Sequence, residues 1–302
     1  MKKPNFFIVG APKSGTTALS EYLRAHPRVY MCTPKEPHYF ATDIPNYRRV
    51  KTEEEYFGLF TAATHEHIAI GEASVFYLYS ETAIQNIKKL ASNSKIIVLL
   101  RNPIDLTYSI HSQLVLSRDE NELDFQSAWG LNEARKEGLK IPKYCRDRKV
   151  LYYDEIAKLG NQIEKLLNIF PREQVKIIYF QEFIKNTRLI YQEVLDFLGV
   201  PDDGRIEFQK INENKKQAIG WLANFTERPP KIIHRYAMEF KKAIGLKQLN
   251  ILPLLRKLNV TGVQRKPLPI DFRRKLVKHY QDDIVKLSHL TNMNLDYWMD
   301  LK

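Results

Sequence analysis

Phe6-Phe7-Ile8-Val9-Gly10 is a short apolar run ended by glycine. It leads directly into Ala11-Pro12-Lys13-Ser14-Gly15-Thr16-Thr17 and a segment with Leu19 and Leu23 at helical spacing. A buried strand, a glycine-bearing loop and a helix in that order form an anion cradle. Backbone N–H groups and the positive end of the helix dipole converge on one point. Lys13 adds an ammonium, and Thr16 and Thr17 add hydroxyl donors. Gly10 and Gly15 let the backbone approach an oxyanion closely. In the nucleoside-triphosphatase loop, glycine, lysine and a hydroxyl residue come in that order at the end. Here the lysine lies two residues before the second glycine, and two threonines follow. The loop alone therefore predicts a phosphate site, and a kinase or hydrolase loop is still open.

Further along, Ile68–Gly71, Lys95–Leu100 and Val175–Phe180 read as strands. Helices are expected at about Thr16–Ala25, closed by His26-Pro27, and at Ile104–Leu116, where Pro103 stands at a favoured helix start. Two more are expected at Gly160–Phe170, stopped by Pro171, and at Arg188–Leu198, stopped by Gly199. Alternating strands and helices predict an α/β fold, a three-layer arrangement with a central parallel sheet flanked by helices. The segment from about Asn212 to Pro269 is rich in Lys, Arg and Pro and carries no strand signal. It predicts helices and loops laid over the sheet. Pro269–Leu290 then reads as one amphipathic helix with Phe272, Leu276, Tyr280, Ile284 and Leu287 facing a core, and Leu295–Met299 as a tail docking two aromatics. The expected organisation is one domain over 1–302: a core at about 1–211, then a basic helical cap and C-terminal helix over 212–302.

Composition narrows the partners. The 302 residues hold 44% hydrophobic and 11% aromatic residues, enough for a sizeable core. Lys and Arg number 47 against 35 Asp and Glu, a net +12 that suits an anionic partner: a nucleotide, a nucleic acid, a polyanionic acceptor or a membrane surface. Cys32 and Cys145 offer neither a disulfide framework nor metal-ligand spacing. The apolar runs fall far short of the roughly 20 residues that cross a bilayer, and the N-terminus is too soon interrupted by Gly and Pro for a signal peptide. The expectation is a cytoplasmic protein. Basic residues spread along the chain, with no recognised nucleic-acid module, argue against a nucleic-acid partner.

Three motifs together resemble the sulfotransferase superfamily that uses 3′-phosphoadenosine 5′-phosphosulfate (PAPS). Phe6–Leu19 resembles its 5′-phosphosulfate loop. Pro34-Lys35-Glu36-Pro37-His38-Tyr39-Phe40 is similar to the next landmark in the bacterial and heparan-sulfate-like branch. Ile96–Ser109 resembles the 3′-phosphate site, with an arginine at a strand end and a serine on the next helix. The C-terminal helix and the Trp298 ending also look like this branch. The resemblance implies a P-loop-like fold and an enzyme that passes a sulfonate from PAPS to an alcohol or amine, leaving 3′,5′-adenosine bisphosphate (PAP), with no metal required. A small secondary metabolite is the first expected acceptor, and a carbohydrate or glycolipid the second. By the same resemblance Lys13 would sit on the bridging oxygen, with Ser14, Gly15, Thr16 and Thr17 on the 5′-phosphate and Arg101 and Ser109 on the 3′-phosphate. Lys215 and Lys216, in Asn212–Lys216, would close over the 3′ side. Glu36 matches the branch's catalytic glutamate, and His38 is the alternative base, sharing a face with Glu36 if the segment is extended. Gly71–Tyr77 resembles a segment that reaches towards the acceptor, but Val75 replaces a frequent proline, and no role passes to Glu72 or Ser74. The competing readings are a phosphate-loop kinase using ATP and magnesium, and a basic nucleic-acid-binding module.

Overall fold

A computed structural model describes residues 2–209, 215–217, 260–262 and 266–301. Met1–Ile211 and Leu268–Lys302 pack as one compact unit, and Asn212–Pro267 as another. In the first, β1 (Phe6–Gly10), β2 (Val29–Met31), β3 (Ala69–Ala73), β4 (Lys95–Leu100) and β5 (Val175–Tyr179) form a sheet in the order β2-β3-β1-β4-β5. Every pairing is parallel. Parallel strands are covered on both faces, so their sequences are apolar throughout instead of alternating; Phe-Phe-Ile-Val-Gly and Lys-Ile-Ile-Val-Leu-Leu follow that rule.

The two faces sort by residue parity. Phe6, Ile8, Ile97 and Leu99 pack with Leu19 and Leu23 of α1 (Thr16–Arg24) and with the last long helix of the sheet region, Thr187–Leu198. Phe7, Val9, Ile96, Val98 and Leu100 face the opposite layer. That layer holds Tyr56 of α2 (Glu53–Gly58), Ile87 of α3 (Ala83–Leu90), Ile110 of α4 (Pro103–Ser117), and Leu166 of the helix Leu159–Ile169. The sequence expectation of a three-layer α/β fold holds.

The C-terminal helix Ile270–Thr291 belongs to this layer, and Phe272, Leu276, Tyr280, Ile284 and Leu287 are all buried. It also caps the helix Leu159–Ile169: Asp283 carboxylate oxygens accept from Gly160 N at 2.8 Å and Asn161 N at 2.9 Å. A Cβ at Gly160 would lie 2.3 Å from Asp283 O, so only glycine admits this approach. In the tail the expectation needs correction: Trp298 is buried, but Tyr297 is 48% exposed. Only one of the two aromatics docks, because Trp298 alone faces Tyr179 of β5 and offers its carbonyl to Asn102 Nδ2.

A second correction concerns the segment from about Asn212 to Pro269, expected to lack strands. Lys215–Gln217 (β6) and Val260–Gly262 (β7) pair antiparallel. The pairing joins two short segments distant in sequence, and three residues carry too little alternation to announce a strand. Trp221, which the sequence places either in the acceptor pocket or in the core, lies outside the described residues. Among the described residues no helix is long and apolar enough to cross a membrane.

Candidate active site

Strand order reverses direction at β1, which has β3 on one side and β4 on the other. In open α/β sheets the crevice beyond the carboxyl ends of such strands is where ligands bind. The segments leaving β1, β2, β3 and β4 carry Lys13, Glu36, Ser74 and Arg101 in turn, so the candidate residues share that edge.

The loop after β1 is built to present donors. Gly15 is the N-cap of α1 at φ 90, and no side chain among the described residues caps the helix. The N–H groups of such a helix start favour an anionic acceptor. A side chain at Gly15 would meet Phe180 and Phe183 at 3.2 Å as well as suffer the left-handed φ. Lys13 also holds a positive φ of 60. Its ammonium donates to Gln113 Oε1 of α4 at 3.3 Å. Its carbonyl accepts from Arg101 Nη1 at 3.0 Å, which ties the end of β4 to the phosphate loop. The Arg101 guanidinium lies 4.9 Å above the Phe180 ring. Ser109 is buried one helical turn before Gln113. Lys13, Arg101 and the Ser109 turn of α4 therefore surround one region. Phe180 and Gln113 carried no sequence signal, because neither belongs to a local motif.

The segment after β2 supplies a carboxylate. Glu36 is held by Lys35 Nζ at 2.7 Å from Oε1 and by His38 Nε2 at 3.7 Å from Oε2. Burial pushes its pKa up, but His38 and Lys35 outweigh that and hold it well below the usual carboxylate range. His38 is itself buried, which lowers its pKa against the opposing pull of the Glu36 carboxylate. Among the described residues neither ring nitrogen has a hydrogen-bond partner, and the ring packs against Phe76 and edge-on to Tyr47 and Tyr77. The two side chains do meet, though not through an extended segment. Glu36 has φ 62 and His38 φ 51, and these left-handed turns bring them together. Such conformations cost about 1–3 kcal/mol each for non-glycine residues and concentrate where geometry matters for function.

Glu72 is a further acid that sequence reasoning left without a role. It is fully buried on β3, and its carboxyl does not face an open crevice. Burial raises its pKa to about 7, opposed in part by hydroxyl donors Tyr56, Tyr77 and Ser74. Between the ordinary 4.5 and about 7 the folded chain therefore binds more protons than the unfolded one. Stability is expected to fall as pH rises through that window, by about 3 kcal/mol from this group. Urea unfolding across the window checks it, and Glu72→Gln should flatten the fall.

Lys215 and Lys216 stand in β6, in the other compact unit, and their side chains lie outside what is described. Among the described residues no group of three or more His, Cys, Asp or Glu is placed to hold a metal ion.

The family profile described as "Sulfotransferase domain" matches residues 3–249. A solved sulfotransferase from Alicyclobacillus acidocaldarius superposes with a TM-score of 0.70 at 26% identity, covering 99% of this chain and 100% of that one. Human carbohydrate sulfotransferase 15 is 24% identical over 252 residues, 65% of this chain and 44% of that protein. Human bifunctional heparan sulfate N-deacetylase/N-sulfotransferase 3 is 29% identical over 205 residues, 65% of this chain and 22% of that protein. This chain thus spans less than half the length of these two relatives.

Proposed function

We propose, from the premise that this chain belongs to the sulfotransferase family, that it moves a sulfonate from PAPS to a hydroxyl or amine of an acceptor. The observation that carries this reading is the hydrogen bond from Arg101 to the Lys13 carbonyl. It ties the arginine at the end of β4 to the backbone of the phosphate loop that carries Lys13, so the two cationic residues stand at neighbouring strand ends, an arrangement that suits a nucleotide with phosphates at both its 5′ and 3′ positions.

The residues present fit such a donor: the helix start at Gly15, two hydroxyls on the first turn, and Arg101 beside the buried Ser109 helix. When bound, PAPS supplies an activated sulfonate whose departure leaves negative charge on the 5′-phosphate. Thr16 and Thr17, with the amides of Ser14 and Gly15, bind that phosphate. The Lys13 ammonium leaves Gln113 to neutralise the developing charge. Arg101 and Ser109 bind the 3′-phosphate, the arginine through forked donors suited to a dianion. Lys215 and Lys216 are proposed to add positive charge to nucleotide binding.

Glu36 takes the proton from the acceptor. A carboxylate held at low pKa stays ionised, and it becomes a sufficient base once bond formation acidifies the acceptor oxygen. Lys35, with its ammonium 2.7 Å from Oε1, holds it in place. His38 itself is the weaker candidate for the base, because its ring lies buried among Phe76, Tyr47 and Tyr77. The names of the curated relatives favour a sugar hydroxyl or amine over the small secondary metabolite as the acceptor to test first. Two free cysteines, Cys32 buried and Cys145 half-buried, suit a reducing compartment such as the cytoplasm.

Thermal unfolding with PAP, with ATP-magnesium and with an oligonucleotide separates this reading from a kinase and a nucleic-acid module. PAP at about 100 times its dissociation constant should stabilise the fold by about 2.7 kcal/mol. Stabilisation by ATP-magnesium alone would sink the reading.

A further inference from the structure

The Glu72 carboxyl takes no part in the scheme above, yet both its oxygens are engaged. Oε1 accepts from the hydroxyls of Tyr56 and Tyr77, each at 2.9 Å, and Oε2 accepts from Ser74 at 3.0 Å. Two of these hydroxyls have a second partner on the segment that carries Glu36. Ser74 Oγ accepts from His38 N at 3.1 Å, and Tyr77 Oη accepts from Phe40 N at 3.3 Å. Tyr56 has no such partner; it meets the segment through ring contacts with Tyr39 and Phe40.

A hydroxyl has a single proton to donate. Once that proton is committed to a carboxylate, only lone pairs are left to face the amide beyond. Glu72 thereby fixes Ser74 and Tyr77 as acceptors for the amides of residues 38 and 40. Glu36 N completes the row by donating to Ala73 O at 3.0 Å. Three alternating amides are thus anchored across the two residues with positive φ. Together these anchoring bonds offset the backbone strain at residues 36 and 38. The anchor also reaches the phosphate loop's own strand, because Ser74 N donates to Ile8 O at 3.0 Å and Leu78 N to Val9 O at 2.9 Å.

We propose that Glu72 is a positioning residue for Glu36, acting through Ser74 and Tyr77 to hold residues 36–40 in the conformation that aims the Glu36 carboxylate. The catalytic part of this proposal rests on the reading of Glu36 as the base. Ser74→Ala, Tyr77→Phe and Tyr56→Phe each delete one hydrogen bond to the same carboxyl, but only the first two delete an amide anchor.

Two readouts on the full chain separate these variants. The first is NMR titration of the Glu36 carboxyl in the ligand-free protein. In Ser74→Ala and Tyr77→Phe it should titrate at higher pH than in the parent, because Glu36 drifts from Lys35 and His38; in Tyr56→Phe it should not. The second is cleavage of PAPS to PAP with water as the acceptor. Its kcat should fall by about 10- to 100-fold in the first two variants, with PAP affinity held within about twofold, while Tyr56→Phe loses melting temperature without a matching loss of kcat. Glu72→Gln should behave like the first two variants if it folds. If all three single-bond variants move together in both readouts, the positioning role is overturned. If Glu36→Gln still cleaves PAPS at the parent rate, the base assignment fails, while the titration continues to decide the positioning.

Discussion

Lys13→Ala is expected to lower kcat by about 10²- to 10³-fold, the range for removing one group aimed at charge that develops in the transition state. Ground-state binding should suffer far less. A partly exposed ion pair is worth about 0.2–1 kcal/mol, so PAP affinity should weaken by less than about tenfold. The variant is a clean one. Alanine tolerates φ 60 no better and no worse than lysine, and the carbonyl that accepts from Arg101 is retained. Lys13→Arg should recover only part of the loss, since a planar fork does not place its charge as a single ammonium does. Stopped-flow turnover with saturating PAPS, beside calorimetry with PAP, separates the two effects. Parallel loss of both would make Lys13 a binding residue only. A near-normal kcat would remove it from the chemistry altogether.

The same lysine shows what was legible in the sequence. Its loop is local, with a strand, glycine, lysine and threonines within twelve residues, and local patterns survive in a one-dimensional reading. So do the strands buried on both faces: Lys95–Leu100 has the limits expected from its run of aliphatics. Val29–Met31 was missed because a three-residue edge strand has no period to detect. Glu36 was visible only through the family landmark. The reason it meets His38 was not, because the left-handed backbone at Glu36 and His38 lies in a segment whose amides at residues 38 and 40 bond partners 36 and 37 positions away, Ser74 and Tyr77. Glu72 illustrates the same limit from the other side. A glutamate on a strand reads as surface or as site, and only the hydroxyls of Tyr56, Tyr77 and Ser74 make full burial tolerable.

Glu36→Gln should reduce kcat by about 10²- to 10⁴-fold, the span of general-base contributions, and should leave PAP binding intact. The amide keeps the shape of the side chain and an oxygen for Lys35, so a large loss reports the missing proton acceptor instead of a rearranged loop. The pH dependence follows from the direction of the pKa shift. A base must be ionised to work, and Lys35 and His38 hold this carboxyl below its ordinary value against the opposing effect of burial. The acid limb of kcat should therefore lie below the ordinary carboxylate pKa of 4.5. The pairing also stabilises the fold above the unfolded-state pKa, a contribution lost as pH falls through the folded one. Lys35→Met removes the ammonium 2.7 Å away while burial continues to act. The acid limb should then move to higher pH, and the carboxylate, less stabilised, should become the stronger base. At neutral pH two effects therefore oppose each other in Lys35→Met: a more basic Glu36 and a less firmly held one. A rate that falls while the limb moves upward would show that holding the carboxylate in place matters more than its basicity, which is the outcome expected of a segment anchored at residues 36, 38 and 40.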